Sequence, residues 1–97
     1  MKYVTFGDLV FKPHFLNEAL GLKGLKQALI FFDNGWGLSV IKGDKALTNG
    51  YKYEYAVLTG TKEFYSIEDR GGVMYTDSKE EITKILNTLQ IRSKNEL

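Results

Sequence analysis

The sequence predicts an α+β fold: an antiparallel β-meander of about four to six strands with one C-terminal α-helix packed on one face. Three observations predict it. An Asn-Gly pair sits between two apolar runs, a tyrosine-rich segment alternates with period two, and a well-capped amphipathic helix closes the chain.

The first apolar run is Ala28-Leu29-Ile30-Phe31-Phe32-Asp33, and Trp36-Gly37-Leu38-Ser39-Val40-Ile41 is the second. Asn34-Gly35 between them is a strong hairpin signal, because a type I′ turn needs positive φ at both central residues. A two-residue turn at Asn34-Gly35 sets Phe32 against Gly37, Phe31 against Leu38 and Leu29 against Val40. Leu29, Phe31, Trp36, Leu38 and Val40 then share the core face. Ala28, Ile30, Phe32, Gly37, Ser39 and Ile41 share the other, with Phe32 laid across the bare backbone of Gly37.

Residues 42–50 are turn-rich and read as a mobile loop. Tyr51, Tyr53, Tyr55 and Val57 alternate with Lys52, Glu54 and Ala56, which is strand periodicity. Thr59-Gly60-Thr61 reads as a short turn, Lys62 to Ile67 as the return strand, and Glu68 to Gly72 as a second loop. Asp77-Ser78-Lys79-Glu80-Glu81 offers two overlapping capping boxes, Asp77 with Glu80 and Ser78 with Glu81. Ile82, Ile85, Leu86 and Leu89 follow on one helical stripe. Burying each contributes roughly 1.5–3 kcal/mol before entropy, so the stripe needs the sheet as its partner.

The N-terminal quarter has two strand-like runs, Tyr3 to Phe6 and Leu9 to Phe11, separated by Gly7-Asp8. Pro13 stops a ladder. Residues 15–26 read equally as a short irregular helix or an ordered loop. Residues 92–97 read as a frayed tail.

The 97 residues make a single domain, 1–97. Hydrophobic residues at 43% and charged residues at 26% are ordinary globular values and exclude wholesale disorder. Thirteen basic against twelve acidic residues leave +1, so no strong field draws nucleic acid or anionic lipid. No cysteine is present, which excludes disulfides, thiolate catalysis and cysteine metal sites. The first seven residues do not read as a signal peptide, and no apolar run approaches the ~20 residues of a membrane span. A soluble cytoplasmic protein is expected.

Catalytic chemistry finds little footing. His14, the one histidine, has only Asp8 and Glu18 nearby in sequence and reads as a packed histidine after Pro13. Glu80-Glu81 is accounted for by helix capping and the helix dipole, and Glu68-Asp69 by a solvated loop. No glycine spacing matches a phosphate loop. No catalytic residue, cofactor or metal site is expected.

Four segments occur in order: Asp8-Leu9-Val10-Phe11-Lys12-Pro13-His14, then Phe32-Asp33-Asn34-Gly35-Trp36-Gly37-Leu38-Ser39-Val40, then Tyr53-Glu54-Tyr55-Ala56-Val57-Leu58, then Val73 to Leu89. Together they resemble a group of small uncharacterised proteins encoded by tailed phages and prophages. The distinctive part is Phe-Asp-Asn-Gly-Trp-Gly-x-Ser-Val, and Glu63 to Gly72 departs from the pattern. The resemblance implies a phage-linked accessory protein of the host cytoplasm and no particular chemistry.

The reading that follows is a non-enzymatic protein that works by protein–protein binding, with inhibition of a host process as one form of it. A single sheet covered by one helix leaves its second face open. The candidate partner surface is Ile30, Phe32, Tyr53, Tyr55 and Trp36, Trp36 ranking last because the register turns it inward. The partner is a host or phage protein, or a second copy of the chain. An alternative is a single-stranded nucleic-acid module stacking bases on Tyr51, Tyr53, Tyr55 and Tyr65 beside Lys52 and Lys62. A third is a small ligand held between sheet and helix.

Overall fold

The loop between the two apolar runs is three residues long. In the computed structural model, which describes residues 4–14, 24–43, 48–68 and 72–92, Phe32 pairs with Trp36 across Asp33-Asn34-Gly35. The Phe32 amide donates to the Trp36 carbonyl at 2.8 Å, and the Gly35 amide to the Phe32 carbonyl at 3.1 Å. Gly35 takes φ 85°, whereas Asn34 is not in the left-handed region. That combination is a type I turn closed by a left-handed glycine, not the type I′ turn expected.

Among the described residues the chain forms a six-stranded antiparallel sheet and one α-helix. The strands are β1 (Lys12–Pro13), β2 (Lys26–Phe31), β3 (Trp36–Lys42), β4 (Tyr53–Gly60), β5 (Tyr65–Ile67) and β6 (Val73–Thr76). They run in meander order from β1 to β5. β6 pairs with β4 as well, so β5 and β6 follow one another along the same edge of β4. The fold is the α+β meander that the sequence predicts.

Several boundaries move. Tyr51 and Lys52 precede the tyrosine strand, which extends through Thr59 and Gly60. The hairpin bend therefore falls at residues 61–64, where the Thr61 amide donates to the Phe64 carbonyl, and the return strand shortens to Tyr65–Ile67. Gly60 takes φ 122°, and a β-carbon there would lie 2.2 Å from the Phe64 carbonyl oxygen, so the bend needs glycine. Pro13 does not stop the ladder. It sits on the edge strand β1, where its missing N–H costs nothing, and the His14 amide extends the pairing to the Leu25 carbonyl.

The N-terminal runs are not strands. Phe6–Asp8 is a 3₁₀ turn, closed by the Asp8 carboxylate accepting the Thr5 amide at 2.9 Å. The segment lies along the helix instead of the sheet. Gln90 bonds both the amide and the carbonyl of Val4, and Thr83 Oγ1 accepts the Phe6 amide. The expectations for residues 15–26 and for the loops at 42–50 and 68–72 fall partly, and that for the tail almost wholly, outside the described residues, at 15–23, 44–47, 69–71 and 93–97.

The helix α1 (Lys79–Ile91) follows its sequence pattern. Ser78 is the N-cap, accepting the Glu81 amide at 3.0 Å. Asp77, the other expected cap, instead accepts the Lys52 amide at 2.8 Å and ties the helix entry to the start of β4. Ile82, Leu86 and Leu89 are fully buried against Trp36, Leu38, Val40, Tyr53 and Tyr55, with Ile85 half-buried beside them. Val4, Phe6, Leu9 and Phe11 pack on the same cluster, so helix and N-terminal segment together roof one face of the sheet.

Candidate functional site

Side chains alternate along a strand, so a one-residue change of register turns a whole strand over. The two-residue turn would have set Phe31 against Leu38. The three-residue loop sets Phe31 against Gly37, Ile30 against Leu38 and Ala28 against Val40. The expected faces of β2 are therefore exchanged. Ala28, Ile30 and Phe32 face the helix with Trp36, Leu38 and Val40, while Leu29 and Phe31 face away.

This overturns the expected location of the candidate residues. Trp36 is 0% exposed, Tyr53 6% and Tyr55 5%, and Ile30 and Phe32 are half-buried against the same cluster. The structure does bring all five together, but under the roof and not on the open face. Trp36 is closed off by the Arg92 guanidinium, 4.5 Å from its ring. The Phe6 ring meets Tyr53 edge-on at 5.1 Å. Tyr55 donates its hydroxyl to the Glu81 carboxylate at 2.9 Å. Burial, that hydrogen bond and the carboxylate charge push the phenol up to about 12.

The face opposite the helix carries a different set. Phe31 lies across Gly37, as an aromatic covering a strand glycine, the place expected for Phe32. A β-carbon on Gly37 would sit 2.6 Å from both the Ile30 carbonyl oxygen and the Phe31 ring. The missing side chain lets Phe31 reach across β3 to Tyr65, with ring centroids 5.4 Å apart. Register places Leu58 and Ile67 beside this pair. At the far end of the same face Tyr51 stacks on Tyr75 at 6.0 Å. Ile67 and Val73 lie between the pairs, so that Tyr65, Ile67, Val73 and Tyr75 follow one another along β5 and β6. Tyr65 is 45% exposed and Ile67 48%, well above any residue of the helix-side cluster. Glu54 faces Tyr75 across the ladder, and partial burial raises its carboxyl above the usual range.

The sequence reading missed Leu29, Phe31, Ile67, Val73 and Tyr75 as surface residues. The signal was in the loop: Asp33-Asn34-Gly35 fits a type I turn with a left-handed glycine as well as it fits a two-residue turn. Asn34 decides between them. Its Nδ2 donates to the Leu89 and Arg92 carbonyls, at 2.7 and 2.9 Å, and its Oδ1 accepts the Trp36 amide at 3.1 Å. The hairpin loop thereby caps the C-terminus of a helix that has no glycine of its own there.

The remaining candidates stand apart. His14 is buried, and burial lowers its pKa below the usual value. Glu80 and Glu81 sit in the first helical turn, where Glu81 is taken up by Tyr55. Among the described residues no three His, Asp or Glu side chains are grouped so as to hold a metal ion. None of the described helices is long and apolar enough to cross a membrane. The space between sheet and helix is filled by side chains exposed by 1% or less, such as Trp36, Leu86 and Leu89. A groove of about 420 Å³ lies elsewhere, lined by Val10, Lys12, Pro13, Gln27, Leu29 and Lys62. No family model matches the chain, and neither a curated protein nor a solved structure shows significant similarity to it.

Proposed function

We propose that the protein is a non-enzymatic binding protein whose contact surface is the sheet face opposite the helix, centred on Tyr65, Ile67, Val73 and Tyr75. One observation carries this reading. Four large apolar or aromatic side chains, each a third or more exposed, stand in a row on one face. Apolar patches of this kind, rimmed by charge, mark contact surfaces, and tyrosine is enriched at their hot spots. Glu54 faces Tyr75 across the ladder and sets a carboxylate beside the row. The face is a better candidate than the edge: β5 has three residues and β6 four, short for an added strand to follow.

The resemblance to tailed-phage accessory proteins directs the search toward a host or phage protein as partner. Nucleic acid is the weaker reading. Tyr53 and Tyr55, which would have formed the stacking platform, are buried against the helix, and the net charge is +1.

Affinity capture from a bacterial host lysate with the wild-type chain and the Ile67→Asp variant tests the proposal. A protein retained by the wild type and lost by the variant is the expected result, with an unchanged melting temperature showing that the fold survives. Equal recovery by both chains, or recovery of the chain alone with a monomeric mass, would overturn it. Light scattering separates a second copy of the chain from a foreign partner.

A further inference from the structure

We infer that the groove between the edge strand β1 and the tip of the β4–β5 hairpin binds small organic anions that carry an apolar body. It is lined by Val10, Pro13, Gln27 and Leu29 together with two lysines, Lys12 and Lys62. Its volume of about 420 Å³ falls in the range of small-ligand clefts, roughly 300–1,000 Å³.

The charge pattern sets the ligand class. No acidic side chain lines the groove among the described residues. Lys42, Lys79 and Arg92 each sit over an aromatic ring, of Phe11, Phe6 and Trp36 respectively. Lys12 and Lys62 have neither such a ring nor an ion-pair partner among the described residues. They come from distant parts of the chain, one from β1 and one from the bend after β4, and both line this groove. The inferred anion would draw on both lysines, with their stems, Leu29, Pro13 and Val10 supplying apolar contact for the rest of the molecule. Gln27 is held in place by donating its Nε2 to Ser39 Oγ at 2.9 Å, which leaves its Oε1 as an acceptor. The groove shares the open face of the sheet with the Tyr65–Tyr75 row, but none of the row's four residues lines it, so it stands independently of their role.

The test is a titration of the full chain followed by backbone amide NMR, with 2-naphthoate and its neutral isostere 2-naphthamide as probes. At low salt 2-naphthoate is expected to shift the amides of Val10, Lys12, Gln27, Leu29 and Lys62. It should bind about five-fold more tightly than 2-naphthamide, the gain expected from two exposed charge contacts. The Lys12→Gln, Lys62→Gln double variant changes exposed residues only and should remove that preference while leaving the rest of the spectrum in place. Equal affinity for the two probes, a preference that survives in the double variant, or shifts confined to Tyr65 and Ile67 would each overturn the inference.

Discussion

The two faces of the sheet are built from similar residues and end in opposite states. The helix side has Trp36, Leu38, Val40, Tyr53 and Tyr55, all at 6% exposure or less. The other side has Phe31, Leu58, Tyr65, Ile67, Val73 and Tyr75, of which Leu58 alone is fully buried. Apolar character does not decide which face becomes the core. What decides is which face receives the helix stripe and the N-terminal segment, and polar groups on the helix side are paired between sheet, loop and roof, although Asn87 Oδ1 is buried without a partner among the described residues. Tyr55 has Glu81, the Val4 backbone has Gln90, and the helix C-terminus has Asn34.

The contrast should be largest for paired truncations. Trp36→Ala, in the roofed face, is expected to cost about 3–5 kcal/mol, and Ile67→Ala, on the open face, about 0.5 kcal/mol or less. Urea denaturation of both variants checks it, and comparable losses would mean that the second face is also core. Next comes Gly37→Ala. Its β-carbon collides with the Ile30 carbonyl and displaces Phe31, so a loss of about 1–3 kcal/mol is expected by the same measurement. The fluorescence or ring-proton signature of Tyr65, which Phe31 contacts, should change with it.

Asn34→Ala removes two hydrogen bonds that join the hairpin loop to the helix end and a third within the loop, and a loss of about 1–2 kcal/mol is expected. Asn34→Asp sharpens the point. It keeps the acceptor for the Trp36 amide but loses both donors and sets a negative charge at the helix C-terminus, so it should be no better than alanine. Thermal melts of the two variants compare them directly. If Asn34→Ala is neutral, the loop length is set by its own backbone preference and not by the helix.

On the roofed face the smallest effect at neutral pH is expected for Tyr55→Phe, about 1 kcal/mol, the net worth of one hydrogen bond. Its signature is the alkaline limb. The folded-state phenol titrates near 12 and the unfolded one near 10, so the native state holds its proton where the unfolded state has released it. Stability from this group is complete below pH 10 and is lost as the pH rises toward 12. The wild type should lose stability across that window and Tyr55→Phe should lose less. Parallel curves would mean that neither burial nor Glu81 raises the Tyr55 phenol in the folded chain.

Much of this fold was legible in the chain. The stripe Ile82, Ile85, Leu86, Leu89 with Ser78 before it specified the helix and its buried side from local periodicity and capping alone. The alternation of Tyr53, Tyr55 and Val57 specified a strand, and Asn34-Gly35 a hairpin. Such features depend on residues within a few positions of each other, and one favoured backbone geometry satisfies them. The candidate surface was not legible, because it depended on the parity of a single loop. Two-residue and three-residue turns at Asp33-Asn34-Gly35 are both open to the local sequence, yet they place Phe31 and Phe32 on opposite sides. Only the packed molecule separates them, since the carbonyls of Leu89 and Arg92, far along the chain, need the Asn34 amide. Local sequence thus determined which elements form, and long-range hydrogen bonding at one helix end decided which aromatics face solvent.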